Sequence, residues 1–133
     1  MTRYLRWVDA GWFVLISALI VIQLYLAGYG VFAFNGLNGF GPHFLIGDLI
    51  GIAILIGVGL AFAARVPWRL TAINGALFAL MVIQFMLAHT GIAGLSALHV
   101  VNGVLIFIVA LYLTWELLKM AMGEKSVEAT VAR

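Results

Sequence analysis

The chain has 133 residues, of which 65% are hydrophobic and only 9% are charged. A soluble domain carries roughly 25% charged residues, so most of this surface must face lipid rather than water. The net charge of +2 is small and dispersed, which excludes nucleic-acid binding. The chain contains no cysteine, which excludes disulfides, thiolate metal sites and cofactors attached through a thioether.

Long uncharged runs predict four membrane-spanning helices. The run from Leu70 to Trp115 contains no Asp, Glu, Lys or Arg. It is too long for one crossing of about 20 residues, so it must hold two crossings and a tight turn. The spans must be helical, because lipid offers no partner for backbone polar groups. The predicted spans are Gly11–Phe32, His43–Ala64, Leu70–Ala88 and Ala97–Met120.

The predicted fold is therefore an all-α integral membrane four-helix bundle. Residues 1–123 form its single domain, and residues 124–133 form a polar cytoplasmic tail. Every basic residue falls on one side of the four spans. Cytoplasmic loops attract Lys and Arg, so both termini are expected on the cytoplasmic side of the inner membrane of the cell. The basic residues are Arg3, Arg6, Arg65, Arg69, Lys119, Lys125 and Arg133.

An internal repeat divides the chain into two helical hairpins, residues 7–64 and 68–120. The segment from Val21 to Gly30 matches the segment from Val82 to Gly91 in six positions, including the chain's two glutamines, Gln23 and Gln84. The second and fourth spans match as well, through a His-x-x-x-Gly-x-Leu-Ile string in each. Both hairpins start and end on the same side, so their pseudo-two-fold axis is expected along the membrane normal.

This axis places His43 and His99 at equal depth, on facing helices, near the outer surface. Two imidazoles facing each other across a bundle suit a six-coordinate haem iron, and bundle cores commonly house such cofactors. Gly47 and Gly103, one turn below the histidines, would leave room for the flat macrocycle. The alternative is that both histidines are interfacial side chains, hydrogen-bonded near the lipid headgroups.

The same motifs resemble one half of haem A synthase, a membrane enzyme built from two four-helix bundles. The matching segments are Gln23 to Gly30, His43 to Gly47, and the pair Leu98-His99. The resemblance implies haem b held by His43 and His99, as in a small bacterial b-type cytochrome. The acidic residue that precedes the synthase's second-helix histidine is replaced by Gly41-Pro42, and the second bundle has no counterpart. The resemblance thus implies haem binding without the oxygenase reaction.

Several further polar residues have two interpretations each. His89 aligns with Gly28 in the repeat, so a structural role is favoured over a haem contact or an alternative ligand. Asp48 is expected to be protonated, to pair with a neighbour such as Asn102, or to take part in proton or quinone chemistry. Gln23 and Gln84 either form interhelical hydrogen bonds or line the floor of a haem site. Close packing is the simplest role for the glycines at 28, 30, 47, 51, 57 and 59.

Two functions from different classes follow. The first is a b-type cytochrome that passes single electrons to quinone, to a redox protein or within a larger complex, as a homo- or hetero-oligomer. The second is a non-redox subunit that scaffolds a larger membrane complex. A copper or zinc site formed by His43, His89 and His99 is a third, weaker option. No hydrolase or transferase constellation is present in the sequence, so an electron carrier or accessory subunit is expected rather than a stand-alone enzyme.

Overall fold

The computed structural model describes residues 2–32 and 39–123, and within them the chain forms four α-helices. All four are long and apolar enough to cross a membrane, which confirms the predicted all-α membrane bundle. The predicted tail, residues 124–133, and most of the predicted loop between the first two spans lie outside the described residues. The helices are α1 (Thr2–Phe32), α2 (Gly41–Ala63), α3 (Trp68–Ala88) and α4 (Ala93–Met122).

All four helices begin before the predicted spans, α2 and α3 by two residues and α1 and α4 by more. Helix α1 begins at Thr2 rather than Gly11, and α4 runs from Ala93 to Met122 rather than from Ala97 to Met120. At 1.5 Å per residue, α1 is about 46 Å long, whereas the hydrocarbon core is about 30 Å thick. The predicted spans were limited to the apolar stretches of the sequence. The helical hydrogen bonding of α1 continues beyond its apolar stretch into the interfacial region, where Arg3 and Arg6 can reach water.

The helices pack in a ring. Helix α1 packs against α2 and α4, and α3 also packs against α2 and α4. Consequently α2 and α4 stand diagonally opposite each other, as do α1 and α3. The diagonal arrangement lets side chains from α2 and α4 meet only on the bundle axis.

All basic residues that the structure describes lie at one end of this ring, which we call the basic end. They are Arg3, Arg6, Arg65, Arg69 and Lys119. The opposite end, which carries the three histidines, is called the histidine end. The distribution of positive charge predicts that the basic end is cytoplasmic.

The core is built from interlocking large and small residues, as expected where lipid gives no hydrophobic driving force between helices. Phe13, Ile54, Leu77 and Leu113 are among its fully buried side chains. A hydrogen bond of 3.0 Å between the Ser17 and Thr114 hydroxyls joins α1 to α4.

Glycines bring specific helices together. A Cβ atom on Gly57 would lie 3.0 Å from the Phe13 ring, and one on Gly51 would lie 3.0 Å from the Phe85 ring. Gly30 meets the Phe40 ring and Gly47 meets the Gln23 side chain in the same way. These contacts confirm the close-packing role at four of the six predicted positions. At positions 28 and 59 the prediction is wrong, because a Cβ there would meet nothing within 4 Å.

Candidate functional site: the histidine pair

His43 and His99 lie near the start of α2 and α4, and their side chains meet on the bundle axis. Their ring centroids are 6.1 Å apart, with an angle of 61° between the ring planes. Both residues are half-buried. The structure thus brings together the two histidines that the repeat had singled out.

Each histidine is held by the glutamine of the preceding helix. The His43 Nδ1 atom lies 3.2 Å from the backbone oxygen of Gln23, and the His99 Nδ1 atom lies 3.3 Å from that of Gln84. The side-chain Nε2 of Gln23 lies 3.4 Å from the His43 Nε2, and that of Gln84 lies 3.2 Å from the His99 Nε2. The same atoms make the same contacts in both hairpins, and they confirm an interhelical hydrogen-bonding role for the two glutamines.

These partners define the protonation pattern of both rings. A backbone carbonyl can only accept a hydrogen bond, so each histidine must carry its proton on Nδ1 to make the bond. In the neutral ring the Nε2 atom then has a free lone pair, towards which the glutamine amide donates. The amide contacts, at 3.4 and 3.2 Å, are longer than the usual 2.9 to 3.0 Å, so they engage the lone pairs only weakly.

The glycines one turn below the histidines provide space for the glutamine amides. A Cβ on Gly47 would lie 3.0 Å from the Gln23 Nε2, and one on Gly103 would lie 3.3 Å from the Gln84 Nε2. The space that the sequence assigned to a macrocycle is thus the space in which the two amides lie. Any flat group placed between the histidines would have to displace both amides.

The two halves of the site differ at Asn102, which is buried on α4. Its side-chain nitrogen donates to the backbone oxygen of Leu80, at 2.9 Å, and to the Oε1 atom of Gln84, at 2.7 Å. The second bond turns the Gln84 amino group towards His99. We refer to the chain of contacts from Asn102 through Gln84 to His99 as the Asn102 lock.

The other half of the site has no such lock. Ile46 occupies the position equivalent to Asn102, three residues after the histidine. The buried Oε1 atom of Gln23 has no hydrogen-bond partner. The Gln23 amino group donates mainly to the backbone oxygen of His43, at 2.9 Å, and only secondarily to the His43 ring. The Nε2 lone pair of His43 is therefore the less engaged of the two.

Sequence reasoning mentioned Asn102 only as a partner for Asp48, and that pairing is wrong. The Asn102 amide uses both of its N–H groups on Leu80 and Gln84, while Asp48 is exposed on α2. The spacing His-x-x-Asn in α4 is the sequence signal that could have identified its role, because residues three apart share a helix face.

Aromatic rings also distinguish the two histidines. The Phe40 and Phe44 rings both contact His43, with centroids 6.2 and 6.1 Å from that of its imidazole. The equivalent positions beside His99 are Ser96 and Val100. His43 is thus packed among aromatic rings, whereas His99 is held by polar contacts.

His89 lies apart from the pair. It is exposed at the end of α3, and its Nδ1 atom donates to the backbone oxygen of Phe85 at 2.8 Å. Over residues 2–32 and 39–123, no three His, Cys, Asp or Glu side chains are grouped to hold a metal ion. The copper or zinc site formed by His43, His89 and His99 is therefore wrong.

Comparison with known proteins identifies a family but not an activity. The sequence pattern of DUF6220, a family of unknown function, matches residues 23–91, just over half of the chain. The chain belongs to this family. The DUF6220 match begins at Gln23, includes His43 and Gln84, and ends before His99. No curated protein and no solved structure matches the chain. The resemblance to haem A synthase stays a prediction, and function has to be argued from the histidine pair.

Proposed function

We propose that this protein is a membrane b-type cytochrome in which His43 and His99 hold haem b and which passes single electrons to a redox partner. The observation that carries the proposal is the pair of imidazoles that face each other across the bundle axis, each with its Nδ1 atom on a backbone carbonyl. Buried polar side chains inside a membrane bundle are costly and usually functional. A matched pair at equal depth on diagonal helices has the form of a two-ligand site.

The separation of the rings supports a site in which His43 and His99 would together hold one metal ion. Two metal–nitrogen bonds of about 2 Å each, with about 1 Å from each nitrogen to its ring centroid, place two ligating imidazoles about 6 Å apart. The rings of His43 and His99 lie 6.1 Å apart. The spacing of the two rings is therefore the spacing that one iron would require.

The protonation pattern supports the same role. A ligating histidine almost always donates its other ring N–H to a carbonyl or carboxylate, which orients the ring and raises its basicity. The backbone oxygens of Gln23 and Gln84 accept these bonds from Nδ1 in His43 and His99. Each ring is thus held with Nε2 as the atom available to a metal.

The surrounding residues fit a flat cofactor once the two glutamine amides move. Gln23 and Gln84 lie in the gaps left by Gly47 and Gly103, and their contacts with the imidazole Nε2 atoms are long. The unpartnered Oε1 atom of Gln23 is an acceptor that gains nothing from its present position. Haem b, when bound, would supply a one-electron Fe(III)/Fe(II) couple, while the protein supplies ligands and burial.

The position of the pair implies a partner. The histidines lie near one end of the bundle, so a single haem there cannot carry an electron across the whole bilayer. Quinone, a redox protein at the outer face, or a larger respiratory or photosynthetic complex in the inner membrane would complete the transfer. In this scheme the chain works with that partner, as a homo-oligomer or within a hetero-oligomer.

A second candidate is a non-redox scaffold subunit, and one observation favours it. Both imidazoles already have hydrogen-bond partners on both ring nitrogens, so they can also serve as interhelical links. Such links in membrane bundles contribute about 0.6 kcal/mol on average. In this case the histidines would stabilise the bundle and bind no iron.

A visible absorption spectrum with metal analysis of the purified protein separates the two candidates. A cytochrome should show the sharp reduced bands of six-coordinate low-spin haem b and contain one iron per chain. His43→Ala and His99→Ala should each abolish this spectrum or make it five-coordinate. His89→Ala is the matched control and should leave it intact, because His89 lies outside the pair. A protein that lacks haem and takes up none when haem is supplied would be a scaffold instead.

A further inference from the structure

A groove of about 490 Å³ opens between α2 and α3 at the basic end, far from the histidines. Its walls are mainly apolar and include Val58, Ala61, Phe62, Ala72 and Gly75. The wall on α2 spans two helical turns, or about 10 Å, from residue 65 to residue 58. That depth is less than the roughly 15 Å of hydrocarbon in one leaflet, so the groove can hold the upper part of an acyl chain.

Among the residues that the structure describes, Arg65 is the only charged one that lines this groove. Trp68 lines it as well, at the first turn of α3. Tryptophan and arginine together are typical of the level at which lipid headgroups meet the hydrocarbon. The groove thus has an apolar interior and a positive mouth at headgroup depth.

The backbone of Arg65 is unusual. It has a φ of +52°, and it is the only non-glycine residue with positive φ within residues 2–32 and 39–123. The Val66 N–H donates to the oxygen of Ala61 at 3.0 Å, and the Arg65 N–H donates to that of Phe62 at 3.1 Å. This bonding pattern ends a helix on a left-handed residue, normally glycine, because a Cβ is strained there.

Helix α4 follows the usual rule and ends on Gly123, with a φ of +85°. Helix α2 instead keeps an arginine at the strained position, and this arginine lines the groove. Backbone strain that a simple glycine would relieve points to a role for the side chain. The role must use a positive charge beside an apolar groove.

We propose that the groove binds one anionic phospholipid, with an acyl chain between α2 and α3 and the lipid phosphate on the Arg65 guanidinium. Basic pockets between membrane helices are suited to anionic headgroups, and the guanidinium can bind phosphate oxygens in a bidentate manner. Within residues 2–32 and 39–123, no carboxylate lines the groove to compete for Arg65. A zwitterionic lipid brings its own positive charge to the same place and gains less. The proposal is independent of haem binding.

The test measures lipid preference in the purified full-length protein. Thermal unfolding in detergent is followed while phosphatidylglycerol or phosphatidylcholine is added, and bound lipid is counted by native mass spectrometry. Phosphatidylglycerol should bind about fivefold more tightly and raise the unfolding temperature more, since one basic residue near the membrane surface contributes about that factor. Equal protection by both lipids would overturn the proposal.

Three variants sharpen the test. Arg65→Gly should fold at least as well as the wild type, because it relieves the left-handed strain, yet it should lose the lipid preference. Gly75→Leu keeps the charge but fills the groove, and a Cβ there meets nothing within 4 Å, so it should fold normally and also lose the preference. Arg69→Gln is the matched charge control, since Arg69 does not line the groove, and it should keep the preference.

Other outcomes would identify a different occupant or none. If Arg69→Gln lost the preference as fully as Arg65→Gly, diffuse surface charge would explain the effect and the proposal would be wrong. If Gly75→Leu left the preference unchanged, the apolar groove would play no part. If wild-type protein formed a dimer that Gly75→Leu dissolved, a second copy of the chain would be the occupant instead of a lipid.

Discussion

A single substitution can remove the Asn102 lock, and the first hairpin of the repeat shows which residue to introduce. Asn102→Ile places at this position the residue that Ile46 provides in the first hairpin. The change removes the donors to Leu80 and Gln84 and frees the Gln84 amide from its orientation towards His99. We expect two effects of opposite sign, one on the protein without haem and one on haem affinity.

The two effects can be estimated from the hydrogen bonds. Asn102 makes two interhelical bonds, of 2.9 and 2.7 Å, and interhelical bonds in membranes contribute about 0.6 kcal/mol each on average and about 1.7 kcal/mol at most. The haem-free protein should therefore lose about 1 to 3 kcal/mol of unfolding free energy. If haem binds at His99, it would have to displace Gln84 from the Nε2 atom, so removing a bond that holds Gln84 there should tighten haem binding about two- to tenfold.

Haem titration of the haem-free protein in lipid nanodiscs, together with thermal unfolding, measures both quantities. Ile46→Asn is the reciprocal variant, because it gives the unpartnered Oε1 of Gln23 a donor. It should stabilise the haem-free protein and weaken haem binding. If Asn102→Ile weakened haem binding, or left it unchanged while stability fell, the lock would not compete with iron and the reasoning would be refuted. If wild-type protein bound no haem at all, the proposed function would fail first.

Two further predictions concern the fold. A reporter fused after Arg133 should be active in the cytoplasm and one inserted near Asn38 should be external, whereas an external C-terminus would invert the depth assigned to the histidines. Gly57→Ala should lower the unfolding free energy by about 1 to 3 kcal/mol, because its Cβ would press on the Phe13 ring at 3.0 Å. Gly59→Ala, with nothing within 4 Å, should be nearly neutral, and equal losses for the two variants would contradict this account of packing.

The number and order of the helices could be predicted because lipid leaves so few alternatives. An uncharged run of known length fixes how many crossings it holds, and the one-sided basic residues fix which connections share an end. The ends of the helices could not be predicted in this way. Helix α1 continues to Thr2 through a stretch with two arginines, since the backbone hydrogen bonds do not depend on the hydrocarbon boundary.

Only those residues of the candidate site that occur at equivalent positions in both hairpins could be predicted from the sequence. His43 and His99, with Gln23 and Gln84, stand at equivalent positions, and the repeat singled them out before their contacts were known. Asn102 was missed as a partner of Gln84 because its equivalent position holds isoleucine. The left-handed Arg65 was missed as well, since its φ depends on how α2 ends against α3 and leaves no pattern in the sequence.

The differences between the two halves of the histidine pair all favour His43 over His99 as a metal ligand. His99 has an amide held against its Nε2 by Asn102, whereas the Gln23 amide is directed mainly to the backbone oxygen of His43. Phe40 adds an aromatic ring beside His43 that has no equivalent beside His99. Two histidines in identical surroundings would bind iron equally well. If haem is bound, His43, whose lone pair is the less engaged, would hold it more readily than His99, where the Gln84 amide would have to move aside. His99 would then be the ligand that Gln84 can recapture, so an external ligand such as carbon monoxide should displace His99 rather than His43.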